Sequence, residues 1–158
     1  MATTTKQEII SVFDEAARTT KNLLKLVPWE KLSYKPHEKS YSLLELLNHI
    51  ASAELFFVNG IVRNDWGAEG DEGKGMEFKS RDEMIKVFDE NHKESVRLIE
   101  ELPEGELLAK HVKTPFKMEG TALRMLIMSL EHTYHHRMQL FMYLKLLGLS
   151  VNTMTIYG

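Results

Sequence analysis

Residues 125–147, MLIMSLEHTYHHRMQLFMYLKLL, give the strongest indication of the fold. The apolar residues among them recur at helical spacing, which predicts a long helix that begins near Thr121 and ends at Gly148. Inside it, His132 and His136 are four residues apart and therefore lie one turn apart on the same helix face. Both imidazole rings can therefore point toward the same bound ion or ligand.

Three more segments have helical patterns, and each follows a sequence that fits a capping box: Thr5-Lys6-Gln7-Glu8, Ser42-Leu43-Leu44-Glu45 and Ser80-Arg81-Asp82-Glu83. The predicted helices run from there to about Leu26, over 43–63 and over 81–101, and no segment shows convincing strand alternation. The sequence thus predicts an all-α four-helix bundle, with residues 1–158 as a single domain.

The predicted connections, 29–41, 65–79 and 103–120, are longer than the ~2–8 residues usual between bundle helices. The middle connection could span ~50 Å when extended, whereas the second helix would be ~30 Å long. It can therefore return along the bundle and leave the second and third helices parallel, which allows an up-down-down-up arrangement. It could equally form a lid over a site.

Composition narrows the classes of function. The 158 residues are 43% hydrophobic and 27% charged, with a formal net charge of −3, which argues against a nucleic-acid surface. No apolar run approaches the ~18 residues of a membrane span, and the start of the chain lacks the apolar core of a signal peptide, so we expect a cytoplasmic protein. The chain has no cysteine, so any thiol would have to come with a second substrate.

A third histidine, His49, lies in the second helix with small residues on its face. Two histidines from one helix and one from a neighbour make a three-nitrogen metal site with open positions. His135 competes with His136 as a ligand, because spacing of three from His132 also works. The competing interpretations are surface histidines on the last helix and a core residue at His49. The remaining histidines considered are predicted to be solvated: His37, His92 and His111.

The last helix carries a second apolar stripe on the side opposite the histidines, formed by Leu123, Ile127, Leu130, Tyr134 and Phe141. Two apolar faces on one helix indicate very deep burial or a partner subunit. We therefore expect a homodimer whose twofold interface contains four residues of this stripe, Leu123, Ile127, Leu130 and Tyr134, although the first helix competes for the same face.

Two segments resemble the DinB-like family of metal-binding four-helix-bundle proteins: Ser42-Leu43-Leu44-Glu45-Leu46-Leu47-Asn48-His49-Ile50 and Glu131-His132-Thr133-Tyr134-His135-His136-Arg137-Met138-Gln139-Leu140. The resemblance implies an up-down-down-up bundle, frequent homodimers, and zinc or nickel on His49, His132 and His136. Met138 departs from the glycine usual in the family, but it lies off the histidine sector. Known activities in the wider family include thiol-dependent transferases and isomerases.

The leading functional hypothesis is a metal-dependent thiol S-transferase, with a low-molecular-weight thiol and an electrophile as substrates. Gln139 and Tyr143 are candidates for orienting a ligand. A metal-dependent hydrolase is the alternative, with Glu45 as candidate base. A non-catalytic metal- or small-ligand-binding stress-response dimer is a third, because the sequence fixes no catalytic residue. Metal affinity is expected to weaken as the pH falls through ~6.5, since only neutral imidazole ligates.

Overall fold

The computed structural model describes residues 3–67 and 76–158, and most of them are helical. The long helices are α1 (Thr5–Leu24), α2 (Leu43–Arg63), α3 (Arg81–Glu101) and α5 (Ala122–Leu146). The shorter elements are a 3₁₀ turn (Trp29–Lys31), α4 (Glu106–Ala109), β1 (His111–Lys113), β2 (Glu119–Thr121) and α6 (Thr153–Tyr157). The prediction of an all-α bundle with four long helices is confirmed.

The contacts between helices fix their directions. The Asn91 amide donates to the carbonyl of Ala51 near the middles of α2 and α3, and Arg63 approaches Glu101 at the ends of both helices, so these helices are parallel. In contrast, α1 is antiparallel to α3, because Lys6 at its start reaches the carbonyl of Leu102 just beyond the end of α3. Helix α5 is antiparallel to α2, because Tyr143 near the end of α5 hydrogen-bonds to Tyr41 just before α2, whereas His132 earlier in α5 contacts Phe57 toward the end of α2. It is therefore parallel to α1.

The order is therefore up-down-down-up, as predicted. Residues 68–75 of the connection between α2 and α3 lie outside the described residues, and so does the prediction that this connection forms a lid.

The helix boundaries largely follow the predicted signals. Helices α2 and α3 have the predicted bounds, and Ser42 and Glu45 form the expected capping box. At α1 the prediction was wrong by one residue, because Thr4 and Gln7 form the box instead. Glutamine can take the place of glutamate in a capping box, so the Glu8 signal was misleading.

The connection between α3 and α5 contains a small β-hairpin that the sequence did not predict. Strands β1 and β2 pair antiparallel, with Val112 opposite Gly120. Each strand has three residues, too few for alternation to be recognised. Val112 is buried and joins the apolar cluster at this end of the bundle.

Two apolar clusters fill the bundle, one toward each end. One includes Phe13, Phe57 and Leu126, whereas the other includes Leu24, Leu46 and Leu140. A polar layer separates them, because the side chains between the clusters are polar on every long helix: Thr19 and Thr20, His49 and Glu54, His92 and Ser95, and Ser129, His132 and His136. A buried polar layer is costly unless its groups find partners, so it marks the place to look for function.

The second apolar stripe of α5 is mostly buried inside the chain. Leu130 and Phe141 are buried, and Leu123 and Tyr134 pack against the cluster that contains Phe13 of α1. Only Ile127 of the stripe is exposed, with 45% of its surface accessible. The prediction that Leu130 lies at a subunit interface is therefore wrong, because α1 covers that face.

Within residues 3–67 and 76–158, no helix combines the length and the apolar character that crossing a membrane requires.

Candidate metal centre

His49, His132 and His136 converge at one point in the polar layer between α2 and α5. The Nε2 atom of His49 lies 3.1 Å from Nε2 of His132 and 3.1 Å from Nε2 of His136, and the last two atoms are 3.2 Å apart. All three rings are partly buried. His135, the competitor for His136, is exposed and lies outside this group.

The spacing of the nitrogens fits a small divalent cation. An ion held tetrahedrally at about 2.0–2.1 Å from each nitrogen separates its ligands by about 3.3 Å, close to the spacing seen here. This three-histidine group can therefore hold a metal ion.

Burial keeps the histidines in the form that binds metal. Burial, and then the charge of His136, lower the pKa of His49 to about 4. Burial likewise lowers the pKa of His132 to about 3, with smaller effects from the neighbouring histidines. These rings are neutral at pH 7, so their nitrogen lone pairs are available to a cation.

Gln139 fixes the orientation of His136. Its Oε1 accepts a hydrogen bond from Nδ1 of His136 at 2.9 Å, which places the ring proton on Nδ1 and leaves the lone pair of Nε2 facing the other histidines. Gln139 was predicted to orient a ligand from the sequence. The structure shows that it contacts a histidine of the cluster instead.

Two other residues singled out from the sequence are engaged elsewhere. Tyr143 is buried and donates from its hydroxyl to the backbone carbonyl of Tyr41, whose ring lies 6.1 Å from that of His49. Glu45 accepts the backbone N–H of Ser42 and lies 3.6 Å from Nζ of Lys35. Its carboxylate is used at the start of α2, which argues against Glu45 as the base of a hydrolase.

His92 was predicted to be solvated, and that prediction is wrong. Its Nδ1 lies 2.8 Å from Oε1 of Glu54 on α2, and its Nε2 lies 3.0 Å from Oδ1 of Asp14 on α1. Burial acts to lower the pKa of His92, but hydrogen bonds and charge from Glu54 and then Asp14 outweigh burial and raise it. His37 and His111 are exposed, as predicted.

The comparisons with known proteins agree with this architecture. A sequence model of the DinB family matches residues 1–157. The chain belongs to the DinB family. It is 28% identical over 150 residues to the uncharacterized protein YjoA of Bacillus subtilis strain 168, a match that covers 89% of this chain and 90% of YjoA.

Two solved structures of DinB proteins share the fold. The crystal structure of the DinB-like protein YjoA from Bacillus subtilis superposes with a TM-score of 0.72 at 25% identity, covering 90% of this chain and 93% of that one. A structure assigned to the DinB family from Exiguobacterium sibiricum 255-15 also gives a TM-score of 0.72, at 21% identity, over 95% and 96% of the two chains. The second likeness concerns the fold alone.

The sequence analysis did not identify one buried side chain that lies beside the candidate metal centre. Glu54 is a buried carboxylate that lines a small cavity together with His132 and His136. It lies five residues after His49, so helical spacing places it away from the sector that His49 occupies. The available signal was an acidic residue inside an otherwise apolar stretch of α2.

Proposed function

We propose that the protein is a divalent-metal-dependent enzyme, a thiol S-transferase that holds zinc or nickel on His49, His132 and His136. The observation that carries this proposal is the convergence of three Nε2 atoms within 3.1–3.2 Å of one another. Three protein ligands leave coordination positions for substrate, which is the arrangement typical of catalytic rather than structural zinc sites.

The chemistry of the ligands supports a role in generating a nucleophile. Three neutral imidazoles leave the charge of a dication uncompensated. The ion supplies, when bound, a positive charge that lowers the pKa of a thiol or a water molecule. Because the chain contains no cysteine, the nucleophilic sulfur comes from a low-molecular-weight thiol as cosubstrate.

Aromatic side chains beside the histidines favour an apolar electrophile. The ring of Phe57 lies 4.9 Å from that of His132, and Phe116, near the tip of the β-hairpin, lies 6.0 Å from Phe57. Phe116 and Tyr41 each expose 47% of their surface, so both can contact a ligand that approaches from solvent. Aromatic faces offer large apolar contact areas without hydrogen-bond demands.

The test is a transferase assay with protein loaded with zinc or nickel. Glutathione, cysteine, bacillithiol and mycothiol are each combined with monochlorobimane, whose thioether product is fluorescent. We expect the loaded wild type to accelerate conjugation of at least one thiol, and both metal-free protein and His132→Ala to lose that acceleration. His37→Ala is the matched control, because His37 is an exposed histidine outside the cluster.

The other outcomes of the assay contradict the proposal in distinct ways. Metal-dependent turnover of an ester panel without any thiol would identify a hydrolase. Stoichiometric metal binding with no acceleration of any thiol pair or ester would instead favour a non-catalytic metal-binding protein.

A further inference from the structure

A small cavity connects the candidate metal centre to a buried carboxylate. The Glu54 carboxyl group contributes one part of its wall, and His132 and His136 contribute another. The rest of the wall comes from Ile50, Ala53, Phe88 and Thr133. The space open to the centre of a water molecule is about 10 Å³, which is about what a single water needs.

Glu54 is held at this cavity by a chain of polar contacts across three helices. Only 7% of its surface is exposed, and burying a carboxylate is costly unless a partner compensates its charge. His92 is that partner through Nδ1, and Asp14 at the surface accepts from Nε2 of the same ring. The carboxylate therefore stays in place beside the cavity instead of turning to solvent.

The charges of Glu54, His92 and Asp14 favour a cation nearby. With His92 protonated, Glu54 and Asp14 contribute two negative charges against one positive charge, so the set carries a net charge of −1. The three neutral imidazoles contribute no charge. A dication in the cluster would thus find its closest buried countercharge, among the described residues, at Glu54.

We propose that Glu54 is a positioning residue of the metal centre: from across the cavity, without coordinating, its carboxylate balances the charge of a divalent ion and accepts a hydrogen bond from the one water that the cavity admits. His92 and Asp14 hold the carboxylate in that position. The inference rests on the proposed metal site. Residues that support metal ligands from a second layer commonly change metal affinity 10- to 100-fold.

The experiment compares zinc affinity, measured by competition with a chromophoric chelator at fixed pH and ionic strength, in the wild type and in Glu54→Gln. Glutamine keeps the shape and removes the charge, so we expect affinity to fall at least about 10-fold. Glu131→Gln is the matched control: it removes an exposed carboxylate next to His132 and should change affinity less than twofold. Equal affinity of Glu54→Gln and wild type would overturn the proposal.

Two further measurements separate positioning from a purely structural role. The cobalt-loaded variant should keep the absorption spectrum of the wild type, because the three histidines still ligate. A lower melting temperature of metal-free Glu54→Gln with unchanged zinc affinity would show that Glu54 only ties the helices together, and would overturn the proposal.

If Glu54→Gln does not fold, Glu54→Asp replaces it, since aspartate keeps the charge but withdraws it from the cavity by one methylene. A several-fold loss of zinc affinity in that variant supports the proposal, and affinity within twofold of the wild type overturns it. Should the wild type itself bind no zinc, the proposed metal site fails. If the wild type binds zinc and the Glu54 variants bind equally well, only the role of Glu54 fails.

Discussion

Removing the amide of Gln139 should weaken metal binding without touching a ligand. In Gln139→Leu, Nδ1 of His136 loses the acceptor that lies 2.9 Å away, so the ring is no longer held with its proton on Nδ1. The tautomer with the proton on Nε2 cannot ligate, and the ring also gains freedom to turn. Loss of such a partner typically costs 10- to 100-fold in affinity, or about 1.4–2.7 kcal/mol.

The assay is a competition titration with zinc and a chelator of known affinity, run on both proteins at the same pH. Gln139→Glu is the companion variant, because a carboxylate is a stronger acceptor and should bind zinc at least as tightly as the wild type does. His135→Ala is the matched control on the same helix, since His135 is exposed and lies outside the cluster. Wild-type affinity in Gln139→Leu would refute the assigned role of the amide.

Lowering the pH from about 6.5 toward 4 should destabilise the metal-free protein. The pKa values of His49 and His132 are about 4 and 3 in the folded chain, below the ordinary value for histidine. The unfolded chain therefore binds more protons than the folded chain in this pH range, and protonation favours unfolding. Urea unfolding of the metal-free protein at a series of pH values measures this effect, and a flat profile would contradict it. For the same reason, metal loading of the folded protein should persist below the pH of ~6.5 at which unperturbed histidines become protonated. Gly60→Ala should cost about 1–3 kcal/mol in urea unfolding, because a Cβ there would lie 2.3 Å from the Trp66 ring; an unchanged midpoint would show that Trp66 moves aside freely. The homodimer remains a prediction: sedimentation should show a dimer for the wild type and a monomer for Ile127→Lys, and a wild-type monomer at micromolar concentration would count against it.

Local periodicity was sufficient to predict the four long helices and two members of the histidine group, but not the short helices α4 and α6. His132 and His136 share a face of one helix, so their proximity follows from spacing alone. Helix α2 has the bounds that Ser42 and Arg63 indicated, because the capping box and the end of the apolar pattern both lie there. Signals within one helix determine these features, and no knowledge of packing was needed.

Contacts between helices were harder to predict from the sequence. His92 appeared to be a surface residue, since its own helix is largely charged, yet Asp14 and Glu54 meet it from two other helices. The apolar stripe of α5 indicated two buried faces, but the pattern could not distinguish a partner subunit from α1. In both cases the outcome depends on which elements pack together, and helical spacing within one segment does not contain that information.

We expect His49, His132 and His136 together to bind one divalent ion. Anomalous diffraction from crystals of the zinc-loaded protein, recorded on either side of the zinc absorption edge, would locate that ion. We expect a single strong peak per chain about 2.0–2.1 Å from the three Nε2 atoms, and no peak there in His132→Ala crystals treated identically. A peak at other residues, or an empty cluster in fully loaded wild-type crystals, would show that these three histidines are not the metal site.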